Sequence, residues 1–189
     1  MKKLLMKTLI MALAVWGTSL LADSARVDLD ATNDGLGIQV VKAPEGGSAD
    51  NASWMDEAKN KQYIHSGEPA TGEWQQSSLT FKADKDGKVM IKLMGEWRPK
   101  DQNNPGDLEP VWILYDDIEV KGAELKNGGF DGGTDGWSTY GEPAPEYVAD
   151  KGHKKNGAAK AWHNAVFFQE INVKAGQEVT ISFWFKTAK

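Results

Sequence analysis

No cysteine occurs anywhere in the 189 residues. That absence removes thiol nucleophiles, thiolate metal ligands, disulfide staples and redox chemistry together. A mature chain of about 167 residues can still bury a sufficient core without disulfides. Other signatures are missing too: there is no GxSxG elbow, no HExxH, no phosphate loop and no GxGxxG. The histidines His65, His153 and His163 are scattered, and none stands at metal-ligand spacing from another. Basic clusters are lacking as well. The formal charge of −5 becomes about −8 when the three lysines of the leader are set aside, so nucleic acid and anionic membranes are poor partners. The longest apolar run, Leu9 to Leu21, covers about 13 residues, too few to span a bilayer.

That run is informative in another way. Lys2, Lys3 and Lys7 precede it and Ala22 offers a cleavage point, so residues 1–22 read as a signal peptide. We expect a bacterial protein exported to the periplasm or the medium, with no membrane insertion once the leader is removed. No Pro/Ser-rich linker divides residues 23–189, which are expected to form a single domain.

Beyond the leader, the pattern has period two. Val27 and Leu29, Leu36, Ile38 and Val40, Leu79 and Phe81, and Val89, Ile91 and Leu93 alternate with polar residues. The segments either side of Asp86-Gly87 are expected to pair as a β-hairpin. Val111, Ile113 and Tyr115 make one side of a further strand. Phe167, Ile171 and Val173 lead to an Ala175-Gly176 turn, and Val179, Ile181, Phe183 and Phe185 follow it. One short helix is expected over Ser53–Lys61, capped by Ser53. Pro44–Ser53, Arg98–Pro110 and Tyr140–Gly157 read as long loops, the kind of segment that often carries function. Seven to nine short strands with Gly, Pro, Asn and Asp turns predict an all-β fold, an antiparallel β-sandwich of jelly-roll type.

Eight tryptophans and twenty glycines are the strongest compositional signal. Tryptophan supplies a flat apolar surface with one donor, suited to stacking on sugar rings or to filling a sandwich core. Trp184 alternates out of phase with Phe183 and Phe185, and Trp162 lies between Lys160 and Asn164. Both therefore read as aromatic residues on polar strand faces, with His163 and Asn164 beside Trp162 as hydrogen-bonding partners for hydroxyls. Trp97 and Tyr140 sit in loop regions, where they either line a cleft or pack a loop down. Asp116 and Asp117 are adjacent on a strand, so their side chains are expected on opposite faces, unable to form the carboxylate pair of a glycosidase by themselves. Asp84–Gly87 and Asp101–Gly106 imitate calcium loops faintly, lack the closing glutamate and read as turns.

Four segments resemble carbohydrate-binding modules of the family 4 and 9 type, jelly rolls related to galactose-binding domains. NGGFDGGTDGW (Asn127–Trp137) is similar to their opening strand, and QEINVKAGQEVTISFWFK (Gln169–Lys186) to a later strand pair. GEWQQSSLTFKA (Gly72–Ala83) and YDDIEVKG (Tyr115–Gly122) resemble their second half, a Trp-led strand and a closing "D-D-I" strand. The order departs from the family, because the closing strand here runs into the opening one. Two arrangements accommodate this: a circularly permuted module with extra strands from Arg26–His65, or a piece of two tandem modules. The resemblance implies non-catalytic binding of a polysaccharide or oligosaccharide, with Trp74 and Trp137 in the core. It also implies a structural Ca²⁺ held by Asp131, Asp117 and, more weakly, Asn127. The rival readings are a cell-envelope structural or adhesion sandwich without sugar specificity, and a small jelly-roll polysaccharide lyase or hydrolase.

Overall fold

The computed structural model describes residues 22–56, 61–154 and 156–188, with residues 50–56 and 61 described through their backbone alone. Apart from Ala22, the leader lies outside the described residues. The strands in chain order are β1 (Ser24–Ala31), β2 (Ile38–Lys42), β3 (Ser48–Asp56), β4 (Lys61–Pro69), β5 (Gln75–Ala83), β6 (Gly87–Gly95), β7 (Pro99–Asp101) and β8 (Asn104–Leu108). They continue with β9 (Ile113–Lys121), β10 (Ser138–Gly141), β11 (Glu146–Val148), β12 (Ala158–Ala161), β13 (Ala165–Val173) and β14 (Glu178–Thr187). Fourteen strands thus replace the seven to nine expected, and no helix is found among the described residues.

Two six-stranded sheets face each other. The first has the order β10-β13-β6-β1-β4-β3, the second β11-β12-β9-β14-β5-β2, and β7-β8 form a separate ribbon. Every strand pair in these sheets is antiparallel. The fold is the antiparallel β-sandwich the alternation predicts, consistent with a jelly roll. Val27, Leu29, Ile91, Leu93 and Phe167 point inward from the first sheet. Leu79, Phe81, Tyr115, Ile181, Phe183 and Phe185 meet them from the second. Each such side chain contributes about 1.5–3 kcal/mol by leaving water. The Tyr115 hydroxyl crosses between the layers, accepting from the Arg26 N–H at 2.8 Å and donating to the Met94 carbonyl at 2.5 Å. A buried phenol thus ties the second sheet to the backbone of the first.

Three local expectations are corrected. The segments around Asp86-Gly87 do not pair as a hairpin: β5 belongs to the second sheet and β6 to the first. Residues 84–86 arch between the layers, with Asp84 Oδ1 accepting from the Gly37 N–H (2.9 Å) and Asp86 Oδ1 from the Ala175 N–H (2.9 Å). Alternation shows which side chains face the core and is identical for a hairpin and an arch. The helix expected over Ser53–Lys61 is absent where described: β3 runs through Asp56, pairing Trp54 with Tyr63 and Met55 with Gln62, and residues 57–60 lie outside the described set. So short a helix closes few hydrogen bonds, whereas pairing with β4 satisfies the backbone directly. The long loops are partly strand, as β3 begins at Ser48 and Arg98–Pro110 folds into the β7-β8 ribbon. Asp101 Oδ1 braces that ribbon's tip through the Asn103 N–H (2.9 Å), so Asp101–Gly106 is the turn it was expected to be.

Candidate ligand-binding faces

The outer face of the first sheet is built from strand residues that alternate with the core set. Cross-strand register places Ser138, Phe168, Lys92 and Asp28 side by side across β10, β13, β6 and β1. Asp28 is buried although it faces outward, because Arg26 forms an ion pair over it and His65 Nδ1 lies 2.7 Å from its Oδ2. Burial alone would push the Asp28 carboxyl up; the His65 hydrogen bond and the Arg26 charge outweigh it and hold the group below the ordinary carboxylate range. Asp30 pairs with Lys92 at 2.9 Å, yet burial still pushes its carboxyl up.

Around this polar floor stand Trp97, from a loop, and Tyr140, which was expected in a loop but lies in β10. Trp97 is 50% exposed and Tyr140 is 47% exposed. Trp97 does not hang freely: its neighbour Arg98 bonds Asp23 Oδ1 (2.9 Å) and the Ala22 carbonyl (3.2 Å), and the Glu96 N–H donates to the Ser24 carbonyl (3.1 Å). An exposed indole between two pinned neighbours is a pre-organised stacking surface. Tyr140, in β10, leans on Phe168 with ring centroids 5.7 Å apart. His163 and Asn164 form the tip of a tight turn closed by reciprocal Trp162–Ala165 backbone bonds of 3.0 Å. Gly141 lets β10 approach that turn, since a Cβ there would strike the Asn164 carbonyl and its φ is +121°. His163 Nδ1 is buried with no hydrogen-bond partner. Burial, then the nearby Arg26 charge, lowers the His163 pKa. Arg26, His65, Trp97 and His163 line a groove of about 990 Å³, and Lys92, Tyr140 and Asn164 extend the same face.

Four of the six expected sugar-contacting residues therefore converge here: Trp97, Tyr140, His163 and Asn164. Trp162 does not. It is buried in a satellite cluster with Leu108, Ala165 and Trp112. Strand β12 ends at Ala161, so the polar alternation read through Lys160 and Asn164 does not continue a strand, and the β7-β8 ribbon brings Leu108 over the indole. Trp184 lies on the opposite face of the molecule. Its ring is stacked by His153 at 3.7 Å and 14°, with Trp74 set edge-on to the same imidazole at 5.9 Å. Trp74 is thus a partly exposed residue of the outer face, contrary to the core position expected. Trp137 is buried as expected, stacked on Phe130 at 5.2 Å.

Beside Trp184 lie the acids. Asp116 and Asp117 do not point to opposite faces in effect, because the register between β9 and β14 shifts across Ser182/Trp184 and Asp117 adopts a left-handed φ of +46°. Both carboxylates reach His153: Asp116 Oδ2 accepts its backbone N–H at 2.7 Å, and Asp117 Oδ2 lies 3.1 Å from Nδ1. Asp117 also pairs with Lys154 at 3.0 Å. Burial works against its charged form, but His153 and Lys154 prevail and lower its pKa, while burial raises that of Asp116.

The proposed metal set is rearranged accordingly. Asp117 is taken by His153 and Lys154, and Asn127 is spent bracing its own turn, Oδ1 accepting the Asp131 N–H (3.0 Å) and Nδ2 donating to the Gly133 carbonyl (3.0 Å). Instead Asp116 meets Asp131. Asn156 Nδ2 lies 3.4 Å from Asp116 Oδ1, 3.2 Å from Asp131 Oδ1 and 2.6 Å from the Gly129 carbonyl. Asn156 Oδ1 is buried and unpartnered. Among the described residues no three His, Cys, Asp or Glu side chains gather in metal-holding geometry; the cluster is two carboxylates, one carbonyl and one amide. His153, Asn156 and Arg26 escaped sequence reasoning, since nothing in their local pattern tells which strand they will meet.

A comparison with known families finds that residues 122–189 match a carbohydrate binding domain model covering families 4 and 9. No curated protein and no solved structure matches the chain. The matched segment supplies β10–β14, which in the first sheet continue the strands from residues 24–121 and in the second interleave with them. The C-terminal segment of this chain is accordingly similar to carbohydrate binding domains of families 4 and 9, and the strands that precede it complete the sandwich.

Proposed function

We propose that this chain is an exported, non-catalytic module that binds a polysaccharide or oligosaccharide on the outer face of its first sheet. The observation that carries the reading is the groove in which exposed Trp97, held between pinned neighbours, stands with half-buried His163. An indole stacks on the C–H face of a sugar, and an imidazole at the groove wall exchanges hydrogen bonds with hydroxyls. Arg26, His65 and Asn164 supply further hydrogen bonds along the groove. The two acids at the floor of this face are already engaged, Asp28 with Arg26 and His65 and Asp30 with Lys92, which speaks against a carboxylate pair working there. Affinity electrophoresis of the full chain through gels containing soluble polysaccharides tests the reading. Retardation that Trp97→Ala abolishes, with unchanged melting, is the expected result; no retardation in any gel favours the adhesion alternative. Export is tested separately, by the N-terminal residue of the protein recovered outside the cytoplasm, expected just after Ala22.

We also propose that a structural Ca²⁺ is held by Asp116, Asp131, the Gly129 carbonyl and Asn156, rather than by Asp117 and Asn127. The donor set fits a hard cation, which takes oxygen ligands. Turning the Asn156 amide by 180° would present its partnerless Oδ1 to the same cluster in place of Nδ2. Such an ion would join the middle of β9, the Asn127–Asp131 turn and the 149–157 loop, and so fix His153 over Trp184.

A further inference from the structure

We propose that the outer face of the second sheet carries a separate ligand site, a cationic groove that takes an acidic sugar residue. It lies on the opposite sheet from the groove described above and stands or falls independently of it.

Cross-strand register sets its floor. Glu146 in β11 opposes Lys160 in β12, Lys160 opposes Leu114 in β9, and Leu114 opposes Lys186 in β14. Two ammonium groups therefore flank one apolar residue, with their strands about 10 Å apart. Each is held over an indole: Lys160 Nζ lies 4.6 Å from the Trp112 ring centroid, and Lys186 Nζ 4.8 Å from that of Trp74. A cation over a ring face is fixed in place yet keeps N–H donors for an anion. Lys151 enters the same depression of about 360 Å³.

Charge bookkeeping makes the place distinctive. Three lysines line it against one acid, Glu146, which bonds Lys160 through both oxygens at 3.1 Å. Among the described residues no acid pairs with Lys186 or Lys151. The surrounding protein carries net charge −5, so this is a local positive field on an acidic molecule, which selects for an anion and steers it inward. The exposed portion of Trp112 offers apolar surface beside the cations. A pyranose ring bearing a carboxylate or a sulfate combines the two features required: an apolar C–H face and an oxyanion for the lysines.

Calorimetric titration of the full chain with oligogalacturonate, a sulfated galactan oligosaccharide and a neutral β-glucan oligosaccharide tests this. We expect at least one acidic oligosaccharide to bind, and Lys160→Gln/Lys186→Gln to weaken it at least tenfold. Raising salt from about 50 to 500 mM should weaken it as well. The tighter acidic ligand identifies the anion as carboxylate or sulfate. Glu146→Gln should strengthen binding a few-fold, a gain that misfolding cannot mimic; Lys186→Gln alone serves if the double variant melts early. Trp97→Ala should leave acidic-sugar binding unchanged. The proposal is overturned if no acidic oligosaccharide binds, if the double variant binds as well as the parent, or if Trp97→Ala removes the binding. Tighter binding of poly-glutamate than of either sugar would also overturn it, by making the groove a docking site for acidic peptide.

Discussion

The two outer faces of the sandwich use aromatic residues in opposite ways. On the first sheet, Trp97 and Tyr140 project with half their surface in water, and the polar atom between them, His163 Nδ1, lacks a partner. On the second, Trp184 is already stacked by His153, and the acids beneath hold His153 through its backbone and its ring. The first face leaves its aromatic rings uncovered; around Trp184 the other has satisfied itself with its own loop. The difference shows that an aromatic residue on a polar strand face is no guide to binding until its neighbours are known. What matters is whether the protein has left the ring and the nearby donors unpaired.

The comparison can be broken most strongly at Trp162, which the buried cluster assigns to stability alone. Trp162→Ala should cost about 3–5 kcal/mol, the usual range for deleting a buried indole, while any protein that remains folded keeps its groove residues. Chemical denaturation measures this, and a neutral result would return Trp162 to the surface.

Glu68, on the inner side of β4 below the groove, sharpens the picture through pH. It is buried, and burial pushes its pKa up to about 7. A carboxyl that binds its proton more tightly when folded stabilises at low pH, and that stability fades as pH rises from the ordinary value near 4.5 through about 7. The parent should therefore be more stable near pH 5 than near pH 7.5, by at most roughly 3 kcal/mol from this group. His163, whose pKa burial lowers, works against this trend below the ordinary histidine value of 6.5. The Glu68→Gln variant isolates the contribution: its melting temperature should lose that pH slope. An unchanged slope would remove Glu68 as the cause.

Calcium addresses the second face. An ion that binds only the folded state adds about 2.7 kcal/mol at a hundredfold excess over its dissociation constant. Melting should rise with the logarithm of calcium concentration, and Asp116→Asn or Asp131→Asn should flatten the response while Asn127→Ala should not. Identical melts in chelator and in millimolar calcium would contradict the site. The smallest effect is expected from Trp184→Ala, about 1 kcal/mol for a lost ring stack, seen as a small shift in melting.

These expectations follow from features of unequal legibility in the sequence. Core strands such as β1, β6, β9 and β14 were readable because period two distinguishes buried from exposed positions directly. The layer each strand joins was not, because Asp84–Asp86 could close a hairpin or arch between sheets with the same side chains inward. Trp97 and Tyr140 were visible as candidates from type and loop context, but Trp162 misled because its alternation spans a turn, not a strand. The Asp116/Asp117 pair failed for a different reason: a bulge adds one residue to β9 opposite β14, and nothing in the string Tyr115–Ile118 announces it. The side chains of His153 and Asn156 meet partners more than twenty positions away, beyond the reach of any local pattern.

The central claim, that the first face binds glycan and Trp184 does not, rests on one paired measurement. Trp97→Ala and Trp184→Ala are titrated against whichever soluble neutral polysaccharide retards the parent protein. The account predicts at least a tenfold loss of affinity for Trp97→Ala, with melting within a few degrees of the parent, and parental affinity for Trp184→Ala. Parental affinity for Trp97→Ala together with lost binding for Trp184→Ala would contradict it.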